Sequence, residues 1–109
     1  MSKPFQAAVA YYPNCANRHD RVNAPTLVFS GDKDDWTPAA ACVAWSQRVH
    51  DAAQLRVVVY PNTYHSFDKP RTRDVPGRGY KMHHLEYNAA ATEDASAQTE
   101  AFLTKWLKE

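Results

Sequence analysis

Two short polar clusters contain the side chains of this chain that are best suited to chemistry. Asp32, Asp34 and Asp35 stand close together after a β-branched and aromatic run. His65 follows a second run of the same kind further along the chain. A buried carboxylate bonded to an imidazole fixes its tautomer and stabilises the imidazolium, so that the other ring nitrogen can act as a general base. The sequence therefore offers an acid and a base, provided that the fold brings the two clusters together.

Three buried strands are predicted to position these clusters. They cover residues 5–12, 26–30 and 55–60, which are apolar runs ended by proline or glycine. Runs without polar alternation are typical of strands in a parallel sheet that is covered on both faces. In such sheets, ligands bind at the carboxyl ends of the strands, where both polar clusters lie. We therefore expect a carboxylate of the first cluster to meet His65 at that edge.

Two helices are expected to cover the sheet. The first is predicted over residues 38–53, with Thr37 as N-cap and Pro38 at the first helical position, where its missing N–H costs nothing. The second is predicted over residues 88–107. The alternation of strands and helices predicts a three-layer α/β fold with about three parallel strands and flanking helices, in a single domain over residues 1–109.

The polar segment 66–87 contains two prolines and two glycines, and this composition predicts an irregular loop. His83 and His84 lie within it and invite comparison, together with His65 and Asp68, with a set of metal ligands. However, no H-x-x-x-H or similar ligand spacing is present. We therefore expect a solvated loop and no metal site.

The sequence around the two clusters resembles the dienelactone hydrolase family of α/β-hydrolases. APTLVFSGDKDDWTP is similar to the acid-strand pattern of that family, P-x-L-x-x-x-G-x-x-D-x-x-x-P, and VVVYPNTYHSFD to its histidine strand. FQAAVAYYPNC resembles the strand after the nucleophile, and EYNAAATEDASAQTEAFLTKWL the final helix. The resemblance implies that Asp34 is the triad acid, that His65 is the base, and that no metal or cofactor is needed. The nucleophile motif of the family, G-x-[CS]-x-G, has no counterpart in this sequence.

This departure leaves two hypotheses about function. In the first, the chain supplies Asp34 and His65 for the hydrolysis of a small-molecule ester, lactone or thioester, and the nucleophile comes from an N-terminal segment or a separate chain. In the second, the chain is a catalytically silent binding or oligomerisation module. Trp36 and Phe67 flank the two loops, and we expect them either to line a substrate pocket or to pack against the sheet.

The chain has two cysteines, neither in a C-x-x-C motif. Cys15 precedes Asp34 and His65 in the order nucleophile, acid, base, but its neighbours lack the glycines that a strained nucleophile elbow requires. The sequence therefore predicts a loop thiol at Cys15 and a core residue at Cys42. So few cysteines favour a reducing compartment, and hence a cytoplasmic location.

The composition disfavours several classes of partner. Thirteen basic residues against 12 acidic ones give no strong field for nucleic acid or for an anionic membrane. The apolar run at residues 7–12 is too short for a membrane span or a signal peptide.

The first predicted strand has the composition of a central strand, and its bare edge would pair with another chain. We therefore expect a homodimer that binds neither nucleic acid nor membrane.

Overall fold

A computed structural model of the chain describes residues 7–16, 24–49, 55–77 and 81–107. Its elements are, in chain order, β1 (Ala8–Tyr11), β2 (Thr26–Gly31), α1 (Ala39–Arg48), β3 (Leu55–Tyr60), β4 (Arg73–Pro76), β5 (Met82–Leu85) and α2 (Ala89–Leu107). The first three strands form a parallel sheet in the order β1-β2-β3, and β4 pairs with β5 in an antiparallel hairpin. Within these described ranges, no helix is long and apolar enough to cross a membrane.

The two long helices cover opposite faces of the parallel sheet. Side chains alternate between the faces along a strand, and on the central strand β2 both sets are buried. Val28 packs with Cys42 of α1 on one side, whereas Leu27 and Phe29 pack with Ala95 of α2 on the other. This arrangement confirms the predicted three-layer α/β architecture and explains why β2 is apolar along nearly its whole length.

The first helix differs at both ends from its prediction. Pro38 is at the N-cap position and no side-chain cap bond is formed there, so the assignment of Thr37 as the cap is wrong. The Thr37 hydroxyl is instead bonded within the site described below. The helix ends at Arg48 because Val49 takes an extended conformation. The rest of the predicted helix, residues 50–53, lies outside the described residues, as do residues 5 and 6 of the first predicted strand.

Segment 66–87 is not wholly irregular, because it contains the β4–β5 hairpin. Val75 pairs with His83 and Asp74 pairs with His84. Val75 and His83 are buried, whereas their neighbours are more exposed, which is the alternation expected of a strand with one covered face. The many charged residues of the segment hide this short pattern in the sequence.

The two cysteines form a disulfide bond, so the prediction of a free loop thiol at Cys15 is wrong. Both residues are buried, at 1% and 0% exposure, where the loop after β1 passes over the start of α1. Their separation of 27 residues gives no sign of this proximity. The bond also removes the ground on which a reducing compartment was expected.

Candidate active site

The loops after β2 and β3 come into direct contact at the carboxyl edge of the sheet. Gly31 permits this contact, because a Cβ atom at this position would collide with the backbone carbonyl of Thr63. The Lys33 N–H donates to that same carbonyl over 2.9 Å, and the Asp32 N–H donates to the Tyr60 carbonyl over 3.0 Å. The two loops are therefore held in one fixed arrangement.

The loop contact brings Asp34 and His65 together. Nδ1 of His65 lies 2.9 Å from Oδ2 of Asp34, within the hydrogen-bonding reach that the sequence led us to expect. The Asp34 side chain is fully buried, and the His65 side chain is 15% exposed. Of the other two carboxylates in the cluster, Asp32 is exposed and Asp35 pairs with His83. With Nδ1 engaged, Nε2 is the ring atom that is left to exchange a proton with a substrate or nucleophile.

Asp34 is held in its ionised form by the donors around it. Its Oδ1 accepts the backbone N–H groups of Trp36, over 2.8 Å, and Thr37, over 2.7 Å. Burial alone would raise the pKa of Asp34, but the hydrogen bonds from His65, Thr37 and Trp36 outweigh burial and hold this pKa below its usual value. A buried, ionised carboxylate can stabilise an imidazolium on His65.

Thr37 and Tyr12 also belong to the site, although neither was expected there from the sequence. The Thr37 Oγ1 lies 3.0 Å from His65 Nδ1, 2.9 Å from Asp34 Oδ2 and 3.0 Å from the Tyr12 carbonyl oxygen. The Tyr12 ring packs edge-on against the imidazole, with 4.5 Å between centroids, and its hydroxyl donates to Asp68 over 2.6 Å. Burial and this bond to Asp68 raise the pKa of Tyr12, so the phenol stays protonated. In the sequence, these two residues are distinguished only by their positions: Thr37 directly precedes Pro38, and Tyr12 ends the first predicted strand.

Trp36 and Phe67 have different environments. Trp36 is 43% exposed, with its ring centroid 5.2 Å from that of His65, and it stacks on His83 at 4.6 Å. It can therefore contact a substrate next to His65. Phe67 is fully buried in the core cluster on the α2 side, so its assignment to the wall of a substrate pocket is wrong and the packing alternative holds.

His83 and His84 both contact carboxylates; His84 and its partners remain solvent-accessible, as expected of a solvated loop, whereas His83 is buried. Nδ1 of the buried His83 lies 3.2 Å from Asp35. His84 lies between Glu86, at 2.9 Å, and Asp74, at 2.8 Å, and these hydrogen bonds raise its pKa. In the described part of the chain, no group of three or more His, Cys, Asp or Glu side chains could hold a metal ion.

A positively charged cavity lies beside the His65 loop. Its volume is about 250 Å³, and its lining residues are Ser66, Lys69, Arg71, Arg73 and Leu85. Ser66 follows His65 in the chain and Leu85 forms a β-bridge with it, so the cavity adjoins His65, although neither His65 nor Asp34 lines it. Two larger cavities, of about 310 and 570 Å³, are lined wholly or partly by residues of α2 and lie away from both side chains. The cations of the cavity at Ser66 favour a negatively charged group.

Solved structures with a similar fold are hydrolases by name. One, from Klebsiella pneumoniae subsp. pneumoniae MGH 78578, is named as a dienelactone hydrolase; it has a TM-score of 0.52 and 24% identity, over 78% of this chain and 29% of that chain. A thermophilic esterase from the Planctomycetes species Thermogutta terrifontis, solved in its native form and with propionate bound, has a TM-score of 0.53 and 18% identity. That match covers 75% of this chain and 25% of the esterase. At these identities the likeness shows the fold alone.

The chain spans less than a third of the length of these structures. No curated protein has a significant sequence match to it. The sequence profile of the dienelactone hydrolase family, in contrast, matches residues 1–107, which is nearly the whole chain. The chain therefore belongs to the dienelactone hydrolase family.

Proposed function

We propose that this chain supplies the general base, His65, and its orienting acid, Asp34, for the hydrolysis of an ester, lactone or thioester. The observation that carries this proposal is the 2.9 Å bond between a fully buried carboxylate and a partly exposed imidazole at the carboxyl edge of the sheet. Membership of the family supports the class of reaction. The nucleophile belongs to another segment or chain, because G-x-[CS]-x-G does not occur in this sequence.

In this mechanism the proton moves through Nε2 of His65. Nε2 takes the proton of a Ser or Cys nucleophile as that nucleophile attacks the carbonyl carbon, and then gives it to the leaving oxygen or sulfur. Nε2 then takes a proton from water, which attacks the same carbon, and returns this proton to the oxygen or sulfur of the nucleophile as its bond to that carbon breaks and the acid product leaves. Asp34 remains ionised throughout and stabilises the imidazolium in both steps.

The charge of the cavity beside His65 favours one kind of substrate. Three of its five lining residues are the cations Lys69, Arg71 and Arg73. A carboxylate on the substrate could accept hydrogen bonds from these side chains while the scissile carbonyl lies near His65. We therefore infer a preference for esters or lactones that carry a negative charge over neutral ones of the same size.

A complementation experiment tests the proposed function. The chain is mixed with, or fused to, an N-terminal segment of a dienelactone hydrolase that contains the nucleophile motif, and turnover of an activated aryl ester is measured. We expect negligible activity from the chain alone, activity from the assembly, and loss of this activity in His65→Gln. His84→Gln is the matched control, because it removes a carboxylate-bonded imidazole outside the site. An assembly that remains equally active with His65→Gln would refute the assignment.

The alternative, a catalytically silent binding module, is favoured by the missing nucleophile motif alone. Inactivity of every folded assembly would support it. Cys15 cannot act as the nucleophile while its sulfur is bonded to Cys42, because a disulfide presents no thiolate. A cytoplasmic location remains a proposal, and the buried disulfide argues against it, since cytosolic thiols are normally kept reduced.

A further inference from the structure

The Thr37 hydroxyl lies where the ends of all three parallel strands meet. It contacts the Tyr12 carbonyl directly after β1, Asp34 after β2 and His65 after β3, each over 2.9 to 3.0 Å. Thr37 corresponds to an unspecified position of the acid-strand pattern, so the family resemblance gives it no role. Its contacts, however, join both members of the acid–base pair.

The protons available in this cluster determine the tautomer of His65. The Tyr12 carbonyl and the ionised Asp34 can only accept, and a hydroxyl carries one proton. If Nδ1 were unprotonated, the one hydroxyl proton of Thr37 would have to serve three acceptors: the Tyr12 carbonyl, Oδ2 of Asp34 and Nδ1 itself. The lone pairs of Nδ1 and Oδ2 of Asp34 would also repel each other at 2.9 Å. With a proton on Nδ1, that N–H donates to the Asp34 and Thr37 oxygens, and the hydroxyl donates onward. The cluster therefore favours the Nδ1–H tautomer, which leaves the lone pair on Nε2.

The Thr37 side chain has little freedom to leave this position. Its backbone N–H donates to Oδ1 of Asp34 over 2.7 Å, so Thr37 binds both oxygens of the carboxylate. A β-branched side chain has few χ1 rotamers. Tyr12 is fixed in turn, because its N–H donates to the Phe29 carbonyl over 2.6 Å. Tyr12 also has a left-handed φ of 41°, a conformation that a bulky residue keeps only where its surroundings impose it.

We propose that Thr37 is a positioning residue, whose hydroxyl shares the Nδ1–H of His65 with Asp34 and so fixes the orientation of the imidazole, with Nε2 available as the base. The significance of this role for catalysis rests on the proposed function. The protection of the Nδ1–H proton is a property of the chain and can be measured without any reaction.

Nuclear magnetic resonance of the chain labelled with ¹⁵N-histidine tests this proposal. Thr37→Val removes the hydroxyl at nearly constant shape, and Thr37→Ser keeps it. Thr26→Val is the matched control, because the Thr26 hydroxyl donates to the Ala24 carbonyl at the other end of β2. In Thr37→Val we expect His65 to keep its Nδ1–H tautomer, because Asp34 still accepts that proton, but we expect the Nδ1–H proton to exchange with water about tenfold faster, as for the loss of one hydrogen bond. Thr37→Ser and Thr26→Val should match the wild type.

Two results would overturn the role of Thr37: an Nδ1–H exchange rate of His65 that is unchanged in Thr37→Val, or an equal rise of this rate in Thr37→Ser. Backbone amide spectra establish whether each variant is folded. If Thr37→Val is not folded, Thr37→Ala takes its place. In the complemented assembly, Thr37→Val should lower kcat and leave KM unchanged. Faster exchange of the Nδ1–H proton in Thr37→Val, together with an assembly that never hydrolyses an ester, would support the role of Thr37 and count against the proposed function. Hydrolysis by the assembly with an unchanged exchange rate in Thr37→Val would do the reverse.

Discussion

Reduction of the Cys15–Cys42 disulfide is expected to destabilise the fold strongly. The bond joins the loop after β1 to helix α1, and both sulfurs lie in the core cluster on the α1 side of the sheet. Reduction leaves the sequence and the packed side chains in place. Its main effect in the chain-entropy description is to release a closed loop in the unfolded state.

The separation of the two cysteines sets the size of this effect. A loop of 27 residues corresponds to an unfolded-state entropy of about 12 cal/mol/K, or about 3.5 kcal/mol at 25 °C. The total stability of a small domain is about 5–15 kcal/mol, so this contribution is a large fraction of it. At roughly 4 °C per kcal/mol for a chain of this size, reduction should lower Tm by about 15 °C.

Urea and thermal unfolding, each with and without a phosphine reductant, measure this difference. The double variant Cys15→Ala/Cys42→Ala is the control: its unfolding should not respond to reductant, and it should be no more stable than the reduced wild type. Because both cysteines are buried, reduction under native conditions should be slow and should accelerate in moderate urea. Equal midpoints for the oxidised and reduced chains would refute the entropic argument, and two titratable thiols in the untreated protein would refute the cross-link itself.

Three further predictions concern acid stability, substrate charge and association. The pKa of Asp34 is lower in the folded state than its unfolded value of about 3.9, so the contribution of Asp34 to stability is present above that value and is lost as the pH falls. The free energy of unfolding in urea, measured between pH 6 and pH 3, should therefore decrease less in Asp34→Asn than in the wild type. Arg73→Met should raise KM for a carboxylate-bearing ester in the complemented assembly but not for a neutral one, whereas Lys105→Met, on α2, should change neither; equal effects on both esters would contradict a charge-selective cavity. In the described residues β1 pairs with β2 alone, and the Ala8 N–H points to β2, so by alternation the Val9 N–H faces the open edge. Val9→Pro should therefore weaken the proposed dimer in light scattering, and a wild-type monomer of 12.3 kDa would contradict the dimer.

The strands could be predicted because each is identified by a short stretch of sequence, and the contact between Asp34 and His65 could be predicted because both residues directly follow such a stretch. Uninterrupted apolar runs identify buried parallel strands, and the strand ends place the polar loops at one edge. The role of Thr37 could not be predicted in the same way. Thr before Pro at the start of a helix is a favourable cap sequence, but tertiary contacts direct the hydroxyl to His65 instead.

At Phe67, a single backbone angle in the preceding residue reverses the side-chain direction that sequence position alone would predict. In a regular strand, residues 65 and 67 would point to the same side, which would place Phe67 next to His65. Ser66 has a left-handed φ of 60°, which breaks this alternation. The chain turns there, and Phe67 enters the core on the α2 side while the His65 ring stays partly exposed. Serine carries little signal for such an angle, so sequence alone favours neither orientation.

The geometry of the acid–base pair depends on contacts that all lie within this chain. The approach of Gly31 to Thr63 fixes the two loops, the backbone N–H groups of the acid loop orient Asp34, and the Thr37 hydroxyl joins them to β1. None of these contacts requires the nucleophile. Binding of a nucleophile-bearing segment would therefore meet a base whose orientation is already set, and the ordering cost would fall on the incoming segment. It follows that binding of such a segment should leave the contact between Asp34 and His65 unchanged.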